Sequence, residues 1–468
     1  MPTSSVFKAT SFSLALAAVF ILEGCGASGE TELYQCYYTY ETSKSSLPGF
    51  EARLFYSPDS AGQRLDVYVS VKESRLKYER QGDIYRASYI SSVRLVQKEQ
   101  VPITKEVSRV IKRNSYPEDL DNSYDAFLVS FNVKPGEYSV EVSVNDEESK
   151  QKAVRIYDLT VPDISDKKLA LSDILLLARY DTSGQSRKIT PFIMSNAGLL
   201  PDTIKFFTVV SSKNPSVDSI FFYLYKLRSR DYYFPNFSVQ TFSNQPSTYD
   251  PCSEKKDTVL IYSYWTTASL NRGNSFVFGV VPKPPVGNYL LKVAAKDESK
   301  DSAMALLDFQ VRTKNFPDIS DDLPEMVSSL NYIASSYELK KIVEAKTDSA
   351  VKGNLLKFWK DRGGYDKMVQ YYHRVAQANQ YFANCVDGWK TPMGMFYIVC
   401  GPPDYVECQG AWNEKWVYSE PSTQSSMMVV FRLTRETINP DDRFYRIDRV
   451  YSNADMWGYY VNKWRTSY

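Results

Sequence analysis

His373 is the only histidine in a chain of 468 residues, so a Ser-His-Asp or Cys-His hydrolytic centre would have to be assembled around it. No nucleophile-elbow motif accompanies it. On a helical projection His373 falls roughly 200° from Tyr371, alongside Gln370, Gln377 and Gln380, which puts it on a wetted face. Two other chemistries are open to this composition. Asp404 with Glu407 or Glu414 could straddle a glycosidic bond, although acidic residues beside turns commonly act as solvated caps. Cys385, Cys400, Cys408 and His373 offer zinc-ligand types, but without the close-spaced cysteine pair of a structural zinc site. Gly401-Pro402-Pro403-Asp404 reads as a rigid turn and lacks the Gly and Lys pattern of a phosphate-cradling loop. No catalytic residue, metal or other cofactor is expected from these patterns.

Binding chemistry is better represented. Aromatic residues make up 14% of the chain, led by 36 tyrosines. Tyr232-Tyr233-Phe234 with Phe237 is the densest cluster, suited to stacking on sugars or to ordinary strand packing. Trp389, Trp412 and Trp416 read mainly as packing anchors. The candidate interaction surface is Tyr232, Tyr233, Trp389, Thr391, Pro402, Pro403, Asp404 and Trp416. With 56 basic and 55 acidic residues the net charge is +1, and nucleic acid is not an expected partner because neutralising phosphates needs a basic face. The six cysteines raise the question of disulfides. Cys400 and Cys408 are the closest pair, and a bridge there would close a short loop and contribute about 2 to 3 kcal/mol. The pairing of Cys36 and Cys252 cannot be deduced.

The elements that must position these groups change character along the chain. Leu65, Val67, Val69 and Val71 alternate with Asp66, Tyr68 and Ser70, which would face the other way. The same period recurs at Phe127, Val129, Phe131 and Val133, and again at Tyr138, Val140, Val142 and Val144. Gly136-Glu137-Tyr138, Asn145-Asp146-Glu147-Glu148-Ser149-Lys150 and Pro162-Asp163-Ile164-Ser165 are mirrored in order by Gly287-Asn288-Tyr289, Lys296-Asp297-Glu298-Ser299-Lys300 and Pro317-Asp318-Ile319-Ser320. The match predicts a duplicated sandwich whose final hairpins pair alike. Beyond Pro317 the period becomes helical at Met326, Leu330, Ile333 and Tyr337, with a second apolar cluster at Leu355, Leu356, Phe358 and Trp359. A third segment carries Met368, Tyr371, Val375, Ala378, Phe382 and Cys385 on one face. Strands are expected again at Met395 to Cys400, Lys415 to Tyr418 and Met427 to Leu433.

The expected fold is therefore mainly β with a C-terminal α+β domain: two antiparallel immunoglobulin-like β-sandwiches, then a helical segment and a small antiparallel sheet. The boundaries read as 1–24 for a leader, 25–30 for a flexible tether, 31–165 and 166–315 for the sandwiches and 316–468 for the α+β domain.

The leader has Lys8 in a sparse basic region, an apolar run from Phe12 to Leu22, and Leu22-Glu23-Gly24-Cys25. It resembles a bacterial lipoprotein signal, which implies lipidation of Cys25 as the mature N-terminus; the rival is an ordinary secretory leader. Glu23 departs from the small residue usual at that position. No later segment approaches the roughly 18 uninterrupted apolar residues of a membrane helix. In the C-terminal part, Phe358-Trp359-Lys360, Tyr371-Tyr372-His373-Arg374-Val375, Ala378-Asn379, Gly388-Trp389-Lys390-Thr391-Pro392 and Gly401-Pro402-Pro403-Asp404 occur in an order that resembles the GWxTD domain over roughly residues 320 to 435. Here Pro392 replaces the aspartate of the family name and Met393 the arginine after it. If that aspartate only caps a turn, proline substitutes by fixing φ. The resemblance implies an exported bacterial lipoprotein of uncharacterised activity. The expectation is a non-catalytic binding or scaffold protein of the cell envelope. It would be held to a membrane through Cys25, facing the periplasm from the outer membrane, with an envelope protein as partner and a glycan as a possible one. The alternatives are an envelope polysaccharide or peptide hydrolase and a carbohydrate-binding lipoprotein.

Overall fold

The computed structural model describes residues 48–59, 62–97, 101–115, 123–164, 167–181, 188–194, 196–213, 216–228, 257–269, 273–297, 300–384, 386–409, 413–422, 424–433, 444–452 and 456–466. Cys25, Cys36, Tyr232, Tyr233, Cys252, Cys385 and Trp412 lie outside them, as does the leader. The fold is mainly β, with a C-terminal α+β part.

The first sandwich contains β1 (Phe50–Asp59), β2 (Gly62–Lys72), β3 (Glu79–Gln81), β4 (Ile84–Val96), β5 (Ile103–Arg113), β6 (Tyr124–Val133), β7 (Gly136–Asp146) and β8 (Lys152–Val161). The second contains β9 (Leu169–Leu171), β10 (Leu175–Asp181), β11 (Lys188–Pro191), β12 (Thr203–Ser212), β13 (Ser216–Arg228), β14 (Asp257–Ser269), β15 (Asn274–Pro282), β16 (Gly287–Lys296) and β17 (Ser302–Val311). The period-2 residues become the cores: Leu65, Val67, Val69 and Val71 meet Val140, Val142 and Val144 in one, and Phe206 and Ile204 meet Phe222, Leu291 and Val293 in the other.

The duplication extends to topology. One sheet runs β1-β2-β6 in the first sandwich and β10-β12-β15 in the second; the facing sheet runs β5-β4-β7-β8 in the first and β14-β13-β16-β17 in the second. The final hairpins pair alike, Gly136 with Val161 and Gly287 with Val311. Each opens on a tyrosine whose hydroxyl donates to the carbonyl four residues upstream, Tyr138 to Lys134 at 2.9 Å and Tyr289 to Pro285 at 2.7 Å. Each turn also holds a lysine at positive φ, Lys150 at 59° and Lys300 at 64°.

Tyr68 does point away from the first core, but that face meets protein instead of water. Phe55 and Tyr68 pack against Leu175, Leu177, Phe207 and Val209 of the second sandwich, with Phe55 and Phe207 ring centroids 4.9 Å apart. On the same strand Asp66 is buried because Arg64 and Ser130 both donate to it at 2.6 Å.

The α+β part holds α1 (Leu323–Ser329), α2 (Ser336–Val343), α3 (Asp348–Lys360), α4 (Gly364–Phe382), α5 (Pro392–Cys400), then the antiparallel sheet β18 (Tyr405–Gln409), β19 (Asn413–Glu420), β20 (Ser425–Leu433), β21 (Tyr445–Ser452), and α6 (Met456–Arg465). The helical region expected from Met326 through Tyr337 is present as α1 and α2, interrupted where Ser335 forms a capping box with Glu338 and starts α2 afresh, and Tyr337 is exposed. One expectation is corrected here. Met395 to Cys400 is helix, not strand. Thr391 caps it by accepting from the Gly394 N–H at 3.0 Å, and Pro392 takes the first helical position. Met393 to Val399 are all buried, so the segment lacks the one-sided period that separates helix from strand. Among the described residues no helix is long and apolar enough to cross a membrane.

Candidate functional site

The motif residues converge where β17 enters the helical core. Gly388 and Gly394 set the close approach. A Cβ on Gly388 would lie 1.9 Å from the Ala378 carbonyl oxygen, and one on Gly394 would lie 1.9 Å from the Gly388 carbonyl oxygen. With no side chain in the way, the turn Gly388–Lys390 lies directly on α4, and Asn379 accepts the Trp389 N–H at 3.1 Å while donating to the Pro317 carbonyl at 3.1 Å. Trp389 is buried. Its indole N–H donates to Glu325 at 2.8 Å, and Tyr332 donates to its carbonyl at 2.5 Å.

Four charges close around this turn. Lys390 donates to Glu325 at 3.0 Å and to Asp387 at 2.8 Å. Arg312, at the end of β17, pairs with Asp387 and donates to the Asn384 carbonyl at 3.1 Å. Its guanidinium lies 4.5 Å from the centroid of the Phe316 ring. Burial brings Arg312 down to about 10, opposed by the Glu325 carboxylate. Both oxygens of Glu325 and both of Asp387 therefore accept a hydrogen bond or ion pair, so neither carboxylate is an idle acid or base. The arrangement works as a buckle between the second sandwich and the helices.

The remaining motif residues are also spent on packing. Tyr371 donates to the Ser329 carbonyl at 2.7 Å and Tyr372 to the Met326 carbonyl at 3.1 Å, fastening α4 to α1. Arg374 donates to the carbonyls of Ile398 at 3.1 Å and Val399 at 3.4 Å, where the α5 dipole is negative. Trp359 is fully buried against Tyr371 and Tyr372. Pro392 occupies the first turn of α5 with Thr391 as its cap. At that position the fixed φ of proline suits the helix and its missing N–H leaves no hydrogen bond unmade.

Several proposed surface residues are interior ones. Trp389, Thr391, Pro403 and Trp416 are buried, whereas Pro402 and Asp404 are exposed. Trp416 donates to the buried Glu414 at 3.0 Å and packs 4.8 Å from Phe431, so it cannot meet a ligand. Cys400 is a free thiol at the C-terminal end of α5, not half of a bridge to Cys408. Burial raises its pKa above the usual thiol value in spite of the Arg374 charge. His373 is exposed on α4. The three carboxylates considered for glycoside chemistry are separately occupied: Asp404 accepts from the Ser419 N–H, Glu407 pairs with Lys415, and Glu414 holds Trp416.

Sequence reasoning missed Arg312, Glu325 and Asp387. The available signals were Asp322-Leu323-Pro324-Glu325, a capped helix start with its acid in the first turn, and the three-residue spacing of Asp387 and Lys390.

A second clamp draws three helices together. Glu338 pairs with Arg362, just beyond the end of α3, and accepts from Arg465 of α6 at 3.0 Å. Burial alone would raise this carboxyl, but Ser335 and Arg465 outweigh it and hold it below the usual carboxylate range. A carboxyl with a depressed folded pKa adds stability above its unfolded value, near 4.3, and loses it as pH falls through the folded value. Glu338→Gln is expected to cost about 2 kcal/mol at neutral pH and to flatten the stability loss below about pH 5. Urea unfolding at a series of pH values checks both, and an unchanged acid limb would refute the clamp.

A search of curated proteins returns no match. Among solved structures, a transglutaminase of red sea bream aligns with 9% identity over 57% of this chain at a TM-score of 0.17, and the chain spans 31% of that structure. The family model of the GWxTD domain matches residues 287–466. This match is longer than the 320 to 435 stretch suggested by motif spacing: it starts at the β16–β17 hairpin, whose Arg312 completes the buckle, and it ends in α6. The chain carries a GWxTD domain that reaches from the last hairpin of its second sandwich to its C-terminal helix.

Proposed function

We propose that this protein is a lipid-anchored component of the bacterial cell envelope that acts as a non-catalytic binding or scaffold module. Its two sandwiches serve as docking bodies and its GWxTD domain as the interaction head. The observation that carries this reading is the fate of the motif side chains. Trp389, Lys390, Asp387, Glu325, Tyr371, Tyr372 and Arg374 spend their polar atoms on one another or on backbone carbonyls. A signature used up in this way specifies a shape, whereas a hydrolase needs a carboxylate or nucleophile left available to substrate. The anchor reading rests on Leu22-Glu23-Gly24-Cys25 and on the free energy of buried acyl chains, about 0.8 kcal/mol per methylene.

Two experiments test the two parts. Cells fed radiolabelled palmitate should label the wild-type chain and not Cys25→Ala. A photocrosslinker in place of the exposed Asp404 should capture a defined envelope protein. Label that survives Cys25→Ala defeats the anchor. Capture of bulk lipoproteins in proportion to their abundance defeats the dedicated partner.

A further inference from the structure

Arg374 is only half engaged. Its Nη1 donates to the carbonyls of Ile398 and Val399 at the end of α5, while Nε and Nη2 have no hydrogen-bond partner among the described residues. Neither of those two atoms is sealed from solvent. Arg312, Arg362, Arg432 and Arg465 of the same domain each pair with a carboxylate, and Arg374 pairs with none among the described residues. Its charge acts instead on the Cys400 thiol and on Tyr397, Tyr418 and Tyr460, all uncharged at neutral pH. Burial draws its pKa below the usual guanidinium value, as happens to a cation that has lost water without gaining an anion.

The free edge already has a use elsewhere in this chain. Arg109 turns the same two atoms, Nε and Nη2, onto the two oxygens of Asp125 at 2.9 and 2.5 Å, and Arg113 does so with Glu73 at 2.9 and 2.6 Å. That edge matches a group presenting two oxygens side by side, a carboxylate or a phosphate. Gly401 leaves it open, since a Cβ there would come within 3.1 Å of Nη2. On α6, the Tyr460 hydroxyl has no hydrogen-bond partner among the described residues and is open to solvent. Two more cations lie along the seam between α4 and α6. Lys367 donates to the carbonyls of Lys463 and Thr466 at 2.5 and 2.6 Å, and the Lys463 Nζ stands 5.3 Å from the Tyr460 ring centroid. Two carboxylates, Glu420 and Asp404, act on Tyr460 as well. Glu420 is held by Lys463 and Ser422, both at 2.8 Å, and Asp404 accepts from the Ser419 N–H. Among the described residues Asp404 alone lacks a cation, against Arg374 and Lys367 without a carboxylate, so the seam stays positive.

We propose that Arg374 and Tyr460 form an anion-binding site for a carboxylate or phosphate group of a partner, held by the Nε–Nη2 edge of Arg374 and the Tyr460 hydroxyl. The proposal rests on the reading of the GWxTD domain as an interaction head and names the chemistry that head recognises. An arginine edge and a neutral phenol bind without turnover.

The test titrates inorganic phosphate, and separately acetate, into the purified full-length chain at constant ionic strength, with chloride as the balancing ion, and reads the heat of binding. Saturable binding at one site is expected, and the anion with the tighter constant identifies the group the partner carries. Tyr460→Phe should weaken that constant on the order of tenfold without moving the thermal midpoint, because the hydroxyl has no bond to lose. Arg374→Lys keeps the charge without the two-pronged edge and should abolish binding. His373→Gln, exposed on the same helix, should leave it unchanged. The proposal is overturned if neither anion binds saturably, if Tyr460→Phe binds as tightly as wild type, or if Arg374→Lys does so with its midpoint intact. Any of those results together with capture of an envelope protein by the probe at Asp404 removes the anion site and leaves the interaction head standing.

Discussion

Gly388→Ala is expected to destabilise the GWxTD domain by about 3 kcal/mol or more. The added methyl would meet the Ala378 carbonyl oxygen at 1.9 Å, the Ala378 carbonyl carbon at 2.6 Å and the Asn379 Cα at 2.7 Å. All three are backbone atoms of α4, so no side chain can rotate away to make room. Gly394→Ala should act in the same direction, because its methyl would meet the Gly388 carbonyl oxygen. Gly353 is the control. It sits in α3 with nothing within 4 Å of a built Cβ, so alanine there should stabilise by about 0.5 to 1 kcal/mol through helix propensity alone. Denaturant midpoints of the three variants check the argument. A Gly388→Ala midpoint equal to wild type would mean that the turn does not lie on α4 as described.

Arg312→Ala should cost about 3 kcal/mol and loosen the joint between β17 and the helices. Removing one partner of a buried pair leaves the other desolvated and alone, which costs more than the pair was worth. Here the loss would strand one oxygen of Asp387 and withdraw a donor from the Asn384 carbonyl. Arg312→Lys keeps the charge but not the planar fork that reaches Asp387, Asn384 and Gln310 together, so it should recover only part of the loss. Limited proteolysis supplies a second readout. Cleavage at the exposed Lys314 should accelerate in Arg312→Ala relative to wild type, and an equal rate in both would show that the buckle does not control the joint.

The fold was legible wherever burial was one-sided. Leu65 to Val71 and Tyr138 to Val144 alternate because one face of each strand meets a core, and Tyr371, Val375, Ala378 and Phe382 recur at helical spacing for the same reason. Legibility failed where burial surrounded the element. The helix Pro392–Cys400 is apolar on every side, and only Thr391 followed by Pro392 announced it. A local cap also interrupts the period, as Ser335 does ahead of Tyr337. Tyr68 reads as the outward face of a single sandwich, because nothing in its local pattern encodes the second domain that covers it. The motif itself was legible as a set of residues but not as a site. Arg312 and Glu325 are distant in sequence from Trp389, and no local spacing connects them.

The helical core closes through its most distant segment. Trp464 donates to the Val399 carbonyl at 2.9 Å, and Arg465 reaches Glu338 across 127 positions. Contacts of such long range form only after a large loss of loop entropy. Until Met456–Arg465 docks, Trp359, Tyr371 and Phe396 therefore keep bare apolar surface, and a folding chain at that stage is a client for chaperones.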